Sequence, residues 1–261
     1  MSTIRRIALA GLTAGCLGLA APALAQDDES SMFGSVEGNV TITNDYVYRG
    51  FTQSNEDFAI QGGLDWSHDS GAYIGVWASS IEFLDEALDG TKTTSSSVEI
   101  DIYGGVSGEF GNSIFTWDVG TIFYAYPDDP AGTEADFWEF GGTLGADLGF
   151  ASVSFGAWWS PDFFGGIGDA WYFPLGIEVP IPIGNGPVGL SFSGNIGLQT
   201  FSLDDAVDVG DDNYIHWDLG LTVSIEDWFD VDLRYHDTDI GDAICQGVCD
   251  ERFVVSVGRA F

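Results

Sequence analysis

The chain ends with the stretch Glu251-Arg-Phe-Val-Val-Ser-Val-Gly-Arg-Ala-Phe261, in which apolar residues alternate with small or polar ones. Successive side chains of a β-strand point to opposite faces, so this alternation predicts a strand with two different faces. One face is apolar apart from a single charge and carries Phe253, Val255, Val257, Arg259 and Phe261. The other face carries Arg252, Val254, Ser256, Gly258 and Ala260. Such a strand is typical of a barrel wall with lipid on one side and water on the other.

The aromatic residue at the last position indicates where in the cell such a strand is expected. A final strand that ends on Phe261 resembles the C-terminal signal of bacterial outer-membrane barrels. The resemblance implies that the barrel-assembly machinery is a partner of the chain and that outer-membrane lipids surround it. We therefore expect the protein in the bacterial outer membrane.

The amino-terminal end predicts export. Arg5 and Arg6 precede an apolar run that closes on the small residues of Ala23-Leu24-Ala25, just before a polar stretch. This order is typical of a secretory signal peptide, which we predict over residues 1–25. The alternatives are a retained membrane anchor and a lipid on Cys16, and the small-residue site at the end of the run argues against both.

The remainder of the chain predicts strands. No later apolar stretch reaches the roughly 18 residues of a transmembrane helix, so a membrane location requires a closed barrel, which satisfies every backbone group in lipid. We predict a short periplasmic segment over residues 26–35 and a barrel over residues 36–261. The fold class is an all-β, up-and-down antiparallel transmembrane barrel of about twelve strands. The alternating segments are Val36–Arg49, Phe58–His68, Tyr73–Phe83, Val98–Phe110, Ile114–Tyr126, Phe137–Leu148, Phe150–Trp159, Trp171–Ile181, Val188–Gln199, Tyr214–Ser224, Phe229–His236 and Glu251–Phe261.

The connections between these segments alternate in length. Tight links follow the even-numbered segments, at Asp69-Ser-Gly71, Gly111-Asn112, Asp147-Leu-Gly149, Gly184-Asn-Gly186 and Glu226-Asp227. Longer connections follow the odd-numbered segments and include Leu84–Ser97, Pro127–Asp136, Phe201–Asn213 and Thr238–Asp250. Outer-membrane barrels have short periplasmic turns and longer outer loops, which is the same arrangement.

A secreted β-sandwich or β-solenoid would also alternate, with its apolar face inside. The aromatic residues of the apolar face favour the membrane barrel, because they lie towards the segment ends as interface girdles do. They are Tyr46, Tyr48, Trp66, Phe110, Trp117, Trp159, Trp171, Trp217, Phe253 and Phe261.

Charge and cysteine content limit the partners. The formal net charge is −34 at pH 7, with 41 acidic and 7 basic residues, so nucleic acid is not an expected partner. Cys245 and Cys249 form a close pair that predicts a disulfide in an oxidising compartment. We expect no cofactor beyond divalent cations bound weakly on acidic outer loops such as Asp204–Asn213, which lacks the spacing of an EF-hand.

One block of sequence resembles a known family. Asn44-Asp-Tyr-Val-Tyr-Arg-Gly-Phe-Thr-Gln53, Gln61-Gly-Gly-Leu-Asp65 and Gly71-Ala-Tyr-Ile-Gly-Val-Trp77 are similar to the opening of the TorF family of porin-type proteins. Val98–Gly105 and Tyr124–Pro127 resemble later blocks of that family. The resemblance implies an outer-membrane barrel of porin type and supplies no substrate.

The polar face of the segments would line the lumen of such a barrel. Carboxylates dominate it, so it is expected to attract cations and repel anions. Twelve strands lie between filled eight-stranded barrels and open sixteen-stranded ones, which predicts a narrow passive channel for small solutes, favouring cations or zwitterions. The alternative is a plugged or structural barrel. The predicted lumen residues are Asp45, Arg49, Gln61, Asp65, Glu99, Asp101, Glu109, Asp118, Glu139, Glu178, Asp218, Asp230, Asp232, Arg234 and Arg252.

Asp45 and Arg49 lie four residues apart on this face, near the outer end of the first segment. They are predicted to form an ion pair at a constriction, and Arg252 on the closing strand is a second candidate partner. An ordinary structural salt bridge is the simpler interpretation.

The tight turn at Glu226 predicts the pairing of the two strands beside it. The expected register sets His216 opposite His236, Asp218 opposite Arg234, and Thr222 opposite Asp230. Two facing histidines can hold a metal or sense pH, although ordinary polar lumen residues are the commoner case.

The competing functions are an outer-membrane lipid-modifying enzyme and an adhesion barrel. Serine–histidine catalysis on the outer wall is not favoured, since His216 and His236 face inward and His68 lies at a periplasmic turn. The chain has no Gly-x-Ser-x-Gly stretch, and its outer loops are short for a receptor surface. We therefore predict a protein that is not an enzyme.

Overall fold

The computed structural model describes residues 33–86, 92–129, 134–184, 186–202, 212–226 and 228–261. The predicted signal peptide and most of the predicted periplasmic segment lie outside these ranges. Within them, no helix is long and apolar enough to cross a membrane.

Most of the described chain is β-structure. A small hairpin, β2 (Val47–Tyr48) and β3 (Phe51–Thr52), follows the first strand, and a short helix, α1 (Asp242–Cys245), precedes the last. The barrel strands are β1 (Ser35–Thr43), β4 (Ala59–Ser67), β5 (Ala72–Glu86), β6 (Lys92–Glu109), β7 (Phe115–Ala125), β8 (Phe137–Asp147), β9 (Ser152–Ser160), β10 (Ala170–Pro180), β11 (Val188–Phe201), β12 (Asn213–Ile225), β13 (Phe229–Thr238) and β14 (Arg252–Ala260).

The strands close into one antiparallel barrel. Each strand pairs with its neighbours along the chain, and β1 pairs with both β4 and β14. The β1–β14 seam sets Asn39 opposite Ala260, and beside it Gly38 and Phe261 exchange two backbone hydrogen bonds of 2.9 Å. The predicted twelve-stranded up-and-down barrel is confirmed.

The outward face of the wall is apolar and exposed. Val40, Leu64 and Val119 are examples of large aliphatic side chains that project away from the barrel. Lipid rather than water is the favourable neighbour for a continuous surface of this kind. Ring contacts also join a row of outward aromatic residues across β8, β9 and β10, as in an interface girdle: Trp138, Phe140, Trp159, Trp171 and Phe173.

The connections differ between the two ends of the barrel. The end with the short links is taken as periplasmic and the end with the longer connections as outer. One predicted outer loop, Leu84–Ser97, is largely strand, because β5 and β6 stay paired as far as Glu86 and Lys92. The sequence of this stretch of β6 is polar at successive positions, because a pair of strands that extends beyond the lipid needs no apolar face. The alternation of apolar and polar residues therefore did not predict a strand there.

Another long outer connection lies between β13 and β14. It contains α1 and the disulfide Cys245–Cys249, which confirms the predicted pair. The backbone N–H of Thr52 donates to the carbonyl of Val248 at 2.8 Å, so this connection contacts the first outer connection.

The first strand is shorter than predicted. The alternation predicts a strand from Val36 to Arg49, but β1 ends at Thr43. The Thr43 hydroxyl donates to the carbonyl of Asp45 at 2.7 Å, and the side-chain oxygen of Asn44 accepts from the N–H of Val255. The side chain of Asn44 thus occupies the place where the next backbone group of β1 would pair with β14, and the chain turns inward.

Candidate functional site: a hairpin folded into the lumen

The segment 44–57, called the lumen hairpin below, crosses the outer half of the barrel interior. Its two short strands are joined by Arg49 and Gly50, whose φ angles are 48° and 92°. Positive φ at both central residues is the geometry of a two-residue type I′ turn. A Cβ on Gly50 would lie 2.4 Å from Cγ2 of Thr238 and 3.0 Å from Cβ of His216, so glycine is required on grounds of space as well.

The base of the hairpin is fixed by Asp45. Its Oδ1 accepts hydrogen bonds from the hydroxyls of Thr52 at 2.6 Å and Ser54 at 3.0 Å. Its Oδ2 accepts from Nη1 of Arg252 at 2.9 Å. Arg252 also donates to the carbonyl of Gly247 at 2.8 Å, so a single side chain links the hairpin, β14 and the disulfide-containing connection.

The predicted ion pair between Asp45 and Arg49 is wrong. Asp45 pairs with Arg252, the second candidate, and Arg49 lies at the other end of the hairpin. The prediction placed both residues on one straight strand, whereas the turn at Arg49 directs its side chain across the barrel.

The tip of the hairpin is fixed by the guanidinium of Arg49, which is 4% exposed. Nη2 donates to Oε2 of Glu139 on β8 at 2.6 Å, and Nη1 donates to Oε1 of Gln199 on β11 at 2.7 Å. The guanidinium carbon lies 3.9 Å from the ring centroid of Tyr172 and 5.9 Å from that of Phe163. These four residues, three on strands of the wall and Phe163 in an outer connection, are called the guanidinium cage below. They hold one cation by charge, amide and aromatic contacts together.

Two further contacts orient the cage. The hydroxyl of Tyr124 donates to Oε2 of Glu139 at 3.0 Å, and the hydroxyl of Tyr172 is 2.9 Å from Nε2 of His216. The Tyr172 and His216 rings stack at 5.6 Å. A Cβ at Gly197 would lie 2.3 Å from Nε2 of His216, so the absence of a side chain there allows the stack.

Aromatic residues of the outer connections, including Phe163 of the cage itself, form a cover over the outer side of the site. Phe163 and Phe164 belong to the connection between β9 and β10, and their rings contact Phe137 at 4.7 Å and Tyr126 at 5.4 Å. At the rim, the hydroxyl of Ser97 donates to Asp128, and this bond holds the pKa of that carboxyl below its usual range.

The predicted facing of the two histidines is wrong. His216 lies opposite Thr238, and His236 lies opposite Asp218. The predicted register would set Ile225 opposite residue 227, whereas Ile225 lies opposite Phe229, so every partner shifts by two positions. A shift of two keeps every side chain on its face, so the same residues remain inside. In the described part of the chain no group of three or more His, Cys, Asp or Glu side chains is arranged to hold a metal.

The periplasmic half of the lumen holds the remaining predicted residues. Arg234 forms ion pairs with Asp218 and, at 3.1 Å, with Asp232, and donates to the hydroxyl of Ser193 at 2.8 Å. Asp218 and Arg234 therefore pair diagonally instead of directly opposite each other. Asp65 accepts a hydrogen bond from the hydroxyl of Tyr103.

Other predicted positions occupy the wall between these two regions. Gln61 donates to the hydroxyl of Ser79 at 3.4 Å, and the hydroxyl of Tyr46 on the hairpin donates to Glu99 at 3.1 Å. Glu99 and Asp101 are successive inward positions of β6, and both are almost fully buried. Asp118 on β7 is half-buried. The loop Asp204–Asn213, predicted to bind cations weakly, lies almost wholly outside the described residues.

Some residues of the site were not predicted. Tyr172, Gln199 and Phe163 hold Arg49, yet none of them was identified from the sequence. Tyr46 and Tyr48 were predicted as girdle residues, but Tyr46 is buried in the lumen and the Tyr48 ring lies 4.7 Å from the Arg49 guanidinium. An aromatic residue on the polar face of an alternating segment, as at Tyr172, was the available signal.

Comparison with known proteins places this geometry in a family. The profile of a family described as "bacterial protein of unknown function (Gcw_chp)" matches residues 26–261. The chain belongs to this family. The TorF resemblance remains a prediction beside it. No curated protein matches the chain.

Solved structures share the barrel. The NanC porin superposes with a TM-score of 0.51 at 9% identity, over 87% of this chain and 98% of that one. LpxR from Salmonella typhimurium gives 0.46 at 8% identity, over 86% and 99%. The translocator domain of the autotransporter NalP from Neisseria meningitidis gives 0.47 at 11% identity, over 92% and 91%. At 9% identity the likeness to the NanC porin concerns the fold alone.

Fold and family together give the location. A closed barrel with an apolar outward face can satisfy its backbone in lipid, and the family is bacterial. The protein is a β-barrel of the bacterial outer membrane.

Proposed function

We propose that this barrel is a narrow passive channel of porin type for small solutes, with its constriction at the lumen hairpin. The observation that carries the proposal is that an outer connection folds into the lumen and is held there by two ion pairs, Asp45–Arg252 and Arg49–Glu139. Twelve strands enclose more space than side chains alone fill in an eight-stranded barrel, so a segment folded inward narrows a lumen that is otherwise wide enough for solutes.

The charge of the wall supports a preference for cations or zwitterions. Carboxylates outnumber guanidinium groups on the inward face of the described strands. Charges that line a narrow tube of low dielectric raise the local concentration of counter-ions and form a barrier to co-ions. The carboxylates concerned are Asp65, Glu99, Asp101, Asp118, Glu139, Glu178, Asp218 and Asp232, against Arg234 and Arg252.

A permanently plugged barrel is the second candidate. The burial of Arg49, Glu139 and Tyr172 favours it, because a well-packed hairpin leaves little room beside it. The two candidates differ in whether the lumen hairpin leaves an open path for solutes beside it. The C-terminal strand that ends on Phe261 is, on the same proposal, the segment by which the assembly machinery recognises the chain.

Bilayer conductance separates the two candidates. Tyr46 and Gln53 are already joined by a backbone hydrogen bond of 2.6 Å, so residues 47–52 can be replaced by Gly-Gly with little strain on the wall. We expect small, discrete, cation-selective currents from the natural chain and larger currents of the same selectivity from the shortened one. Mobility of the unboiled protein on SDS gels serves as the control for folding.

Three outcomes would contradict parts of this proposal. Absence of current from the natural chain, with current from the shortened one, would leave the plugged barrel as the function, and absence of current from both folded proteins would leave a purely structural barrel. Anion-selective current would contradict the acidic lumen while leaving the channel itself in place.

A further inference from the structure

The guanidinium cage has the composition of a ligand site, although its occupant belongs to the same chain. A carboxylate and an amide oxygen bind the two terminal nitrogens of Arg49, at 2.6 and 2.7 Å, while the ring of Tyr172 lies 3.9 Å from its carbon. Oxygens at the edge and an aromatic ring at the face are the arrangement that recognises a planar guanidinium.

The cage is built by the wall, independently of the hairpin. Glu139 lies on β8, Phe163 in the connection after β9, Tyr172 on β10 and Gln199 on β11. Tyr124 and His216 orient Glu139 and Tyr172 through hydrogen bonds within the wall. A site whose groups are already oriented by their neighbours loses little conformational freedom when it binds a ligand.

The occupant, by contrast, adopts an unfavourable backbone conformation. Arg49 has a φ of 48°, in the left-handed region that residues with a side chain rarely adopt. Such conformations persist when surrounding contacts over-determine them. Here those contacts include the ones that the cage makes with the guanidinium, beside the pairing of β2 with β3, so the cage contributes to holding the turn.

We propose that the cage is a binding site for small solutes that carry a guanidinium group, and that Arg49 occupies it when no such solute is bound. A solute that enters the cage displaces Arg49 and releases the tip of the lumen hairpin, so binding and opening are coupled. The solute class deepens the proposed channel function and rests on it, whereas binding to the cage does not require conduction.

Competition with Arg49 gives the proposal a measurable form. A ligand that binds only when the hairpin is released has an apparent affinity reduced by the fraction of released molecules. Arg49→Asn empties the cage and creates Asn-Gly, the preferred sequence for a type I′ turn, so the hairpin itself is kept. The full chain, refolded in detergent, is heated with increasing methylguanidinium, and the unfolding midpoint is recorded.

We expect methylguanidinium at millimolar concentration to raise the midpoint of Arg49→Asn. The natural chain should need about ten times more of the ligand for the same rise, because Arg49 competes. Methylurea, which has the same shape without the charge, should have no effect. The double variant Arg49→Asn/Glu139→Gln, which keeps the fold of the emptied cage without its carboxylate, should lose the response.

The proposal is overturned if Arg49→Asn responds to methylguanidinium no more than to methylurea, or if the double variant responds equally. If Arg49→Asn does not fold, the same comparison of methylguanidinium with methylurea is made on Arg49→Gly, since glycine also adopts a positive φ. A response to methylguanidinium without current in the bilayer experiment would contradict the channel and leave the cage as a binding site. Current without a response to methylguanidinium would contradict the binding site and leave the channel.

Discussion

The two halves of the lumen hold their charges in different ways. In the outer half, Arg49 and Glu139 are 4% and 2% exposed and are covered by aromatic rings. In the periplasmic half, Arg234 and Asp218 are 23% and 9% exposed. Removing one partner of an ion pair that is shielded from water leaves the other charge buried and unpaired. When the pair is partly solvated, water replaces the lost partner. The outer half is therefore a locked region and the periplasmic half an accessible vestibule.

Removing one partner of the locked pair is the strongest way to test this comparison. Glu139→Ala leaves the Arg49 guanidinium without its carboxylate, and loss of one partner of a buried pair destabilises by about 3–5 kcal/mol. We expect a loss near 3 kcal/mol, since release of the hairpin lets the guanidinium reach water. Unfolding by denaturant in lipid vesicles, followed by tryptophan fluorescence, measures it.

The matched control lies in the vestibule. Asp232→Ala also removes a carboxylate that pairs with an arginine, but this one is partly solvated, so the expected loss is about 1 kcal/mol or less. Equal losses for the two variants would contradict the difference between the halves.

Blocking the turn of the hairpin should have an intermediate effect. Gly50→Ala places a methyl group 2.4 Å from Cγ2 of Thr238 at a φ of 92°, which we expect to destabilise by about 1–3 kcal/mol. Because the clash is confined to the tip, amide hydrogen exchange should accelerate over residues 44–57 and stay unchanged in β8 and β11.

Gly111→Ala controls for backbone strain alone. Its φ is 63°, and a Cβ there meets no atom within 4 Å, so the expected loss is only about 1 kcal/mol and spares the hairpin. Faster exchange in the hairpin of this variant would show that the acceleration in Gly50→Ala is not caused by contact with Thr238.

A charge change in the vestibule should alter selectivity more than stability. Arg234→Gln removes its cation beside Asp218 and Asp232, so the reversal potential in a KCl gradient should shift toward stronger cation selectivity. The change in stability should stay within about 1 kcal/mol because the group is partly solvated. Asp232→Asn should shift the potential in the opposite direction, and shifts of the same sign would refute an electrostatic origin.

The wall was predictable from the sequence because its determinants are local. Lipid on one side and water on the other impose an alternation that each strand carries within itself, so β4, β8 and β14 begin and end within about two residues of the prediction. Where a strand extends beyond the lipid, as at the outer ends of β5 and β6, this constraint is absent and the predicted strand ends are wrong.

The site was less predictable because its partners are distant in the chain. Arg49 contacts residues 90 and 150 positions away, and no local pattern encodes those contacts. The alternation at residues 46–49 belongs to the lumen hairpin, around the two-residue strand β2, and not to an extension of β1. A glycine directly after Arg49 was the local sign of a turn.

The register error between β12 and β13 has a similar cause. The position of the turn sets the register of a hairpin, and the sequence around Glu226 did not show that the turn is centred one residue later than predicted. The predicted assignment of side chains to the inward and outward faces remains correct, because two residues make one full period of a strand.

Asn44 has a consequence for assembly. Its backbone N–H donates to the carbonyl of Val255 at 3.2 Å while its side-chain oxygen accepts from the N–H of the same residue. The last rung of the β1–β14 seam is therefore completed before the chain enters the lumen. The backbone pairing that closes the cylinder therefore uses none of residues 45–57, so this segment can be exchanged for one of another length while every rung between β1 and β14 is kept.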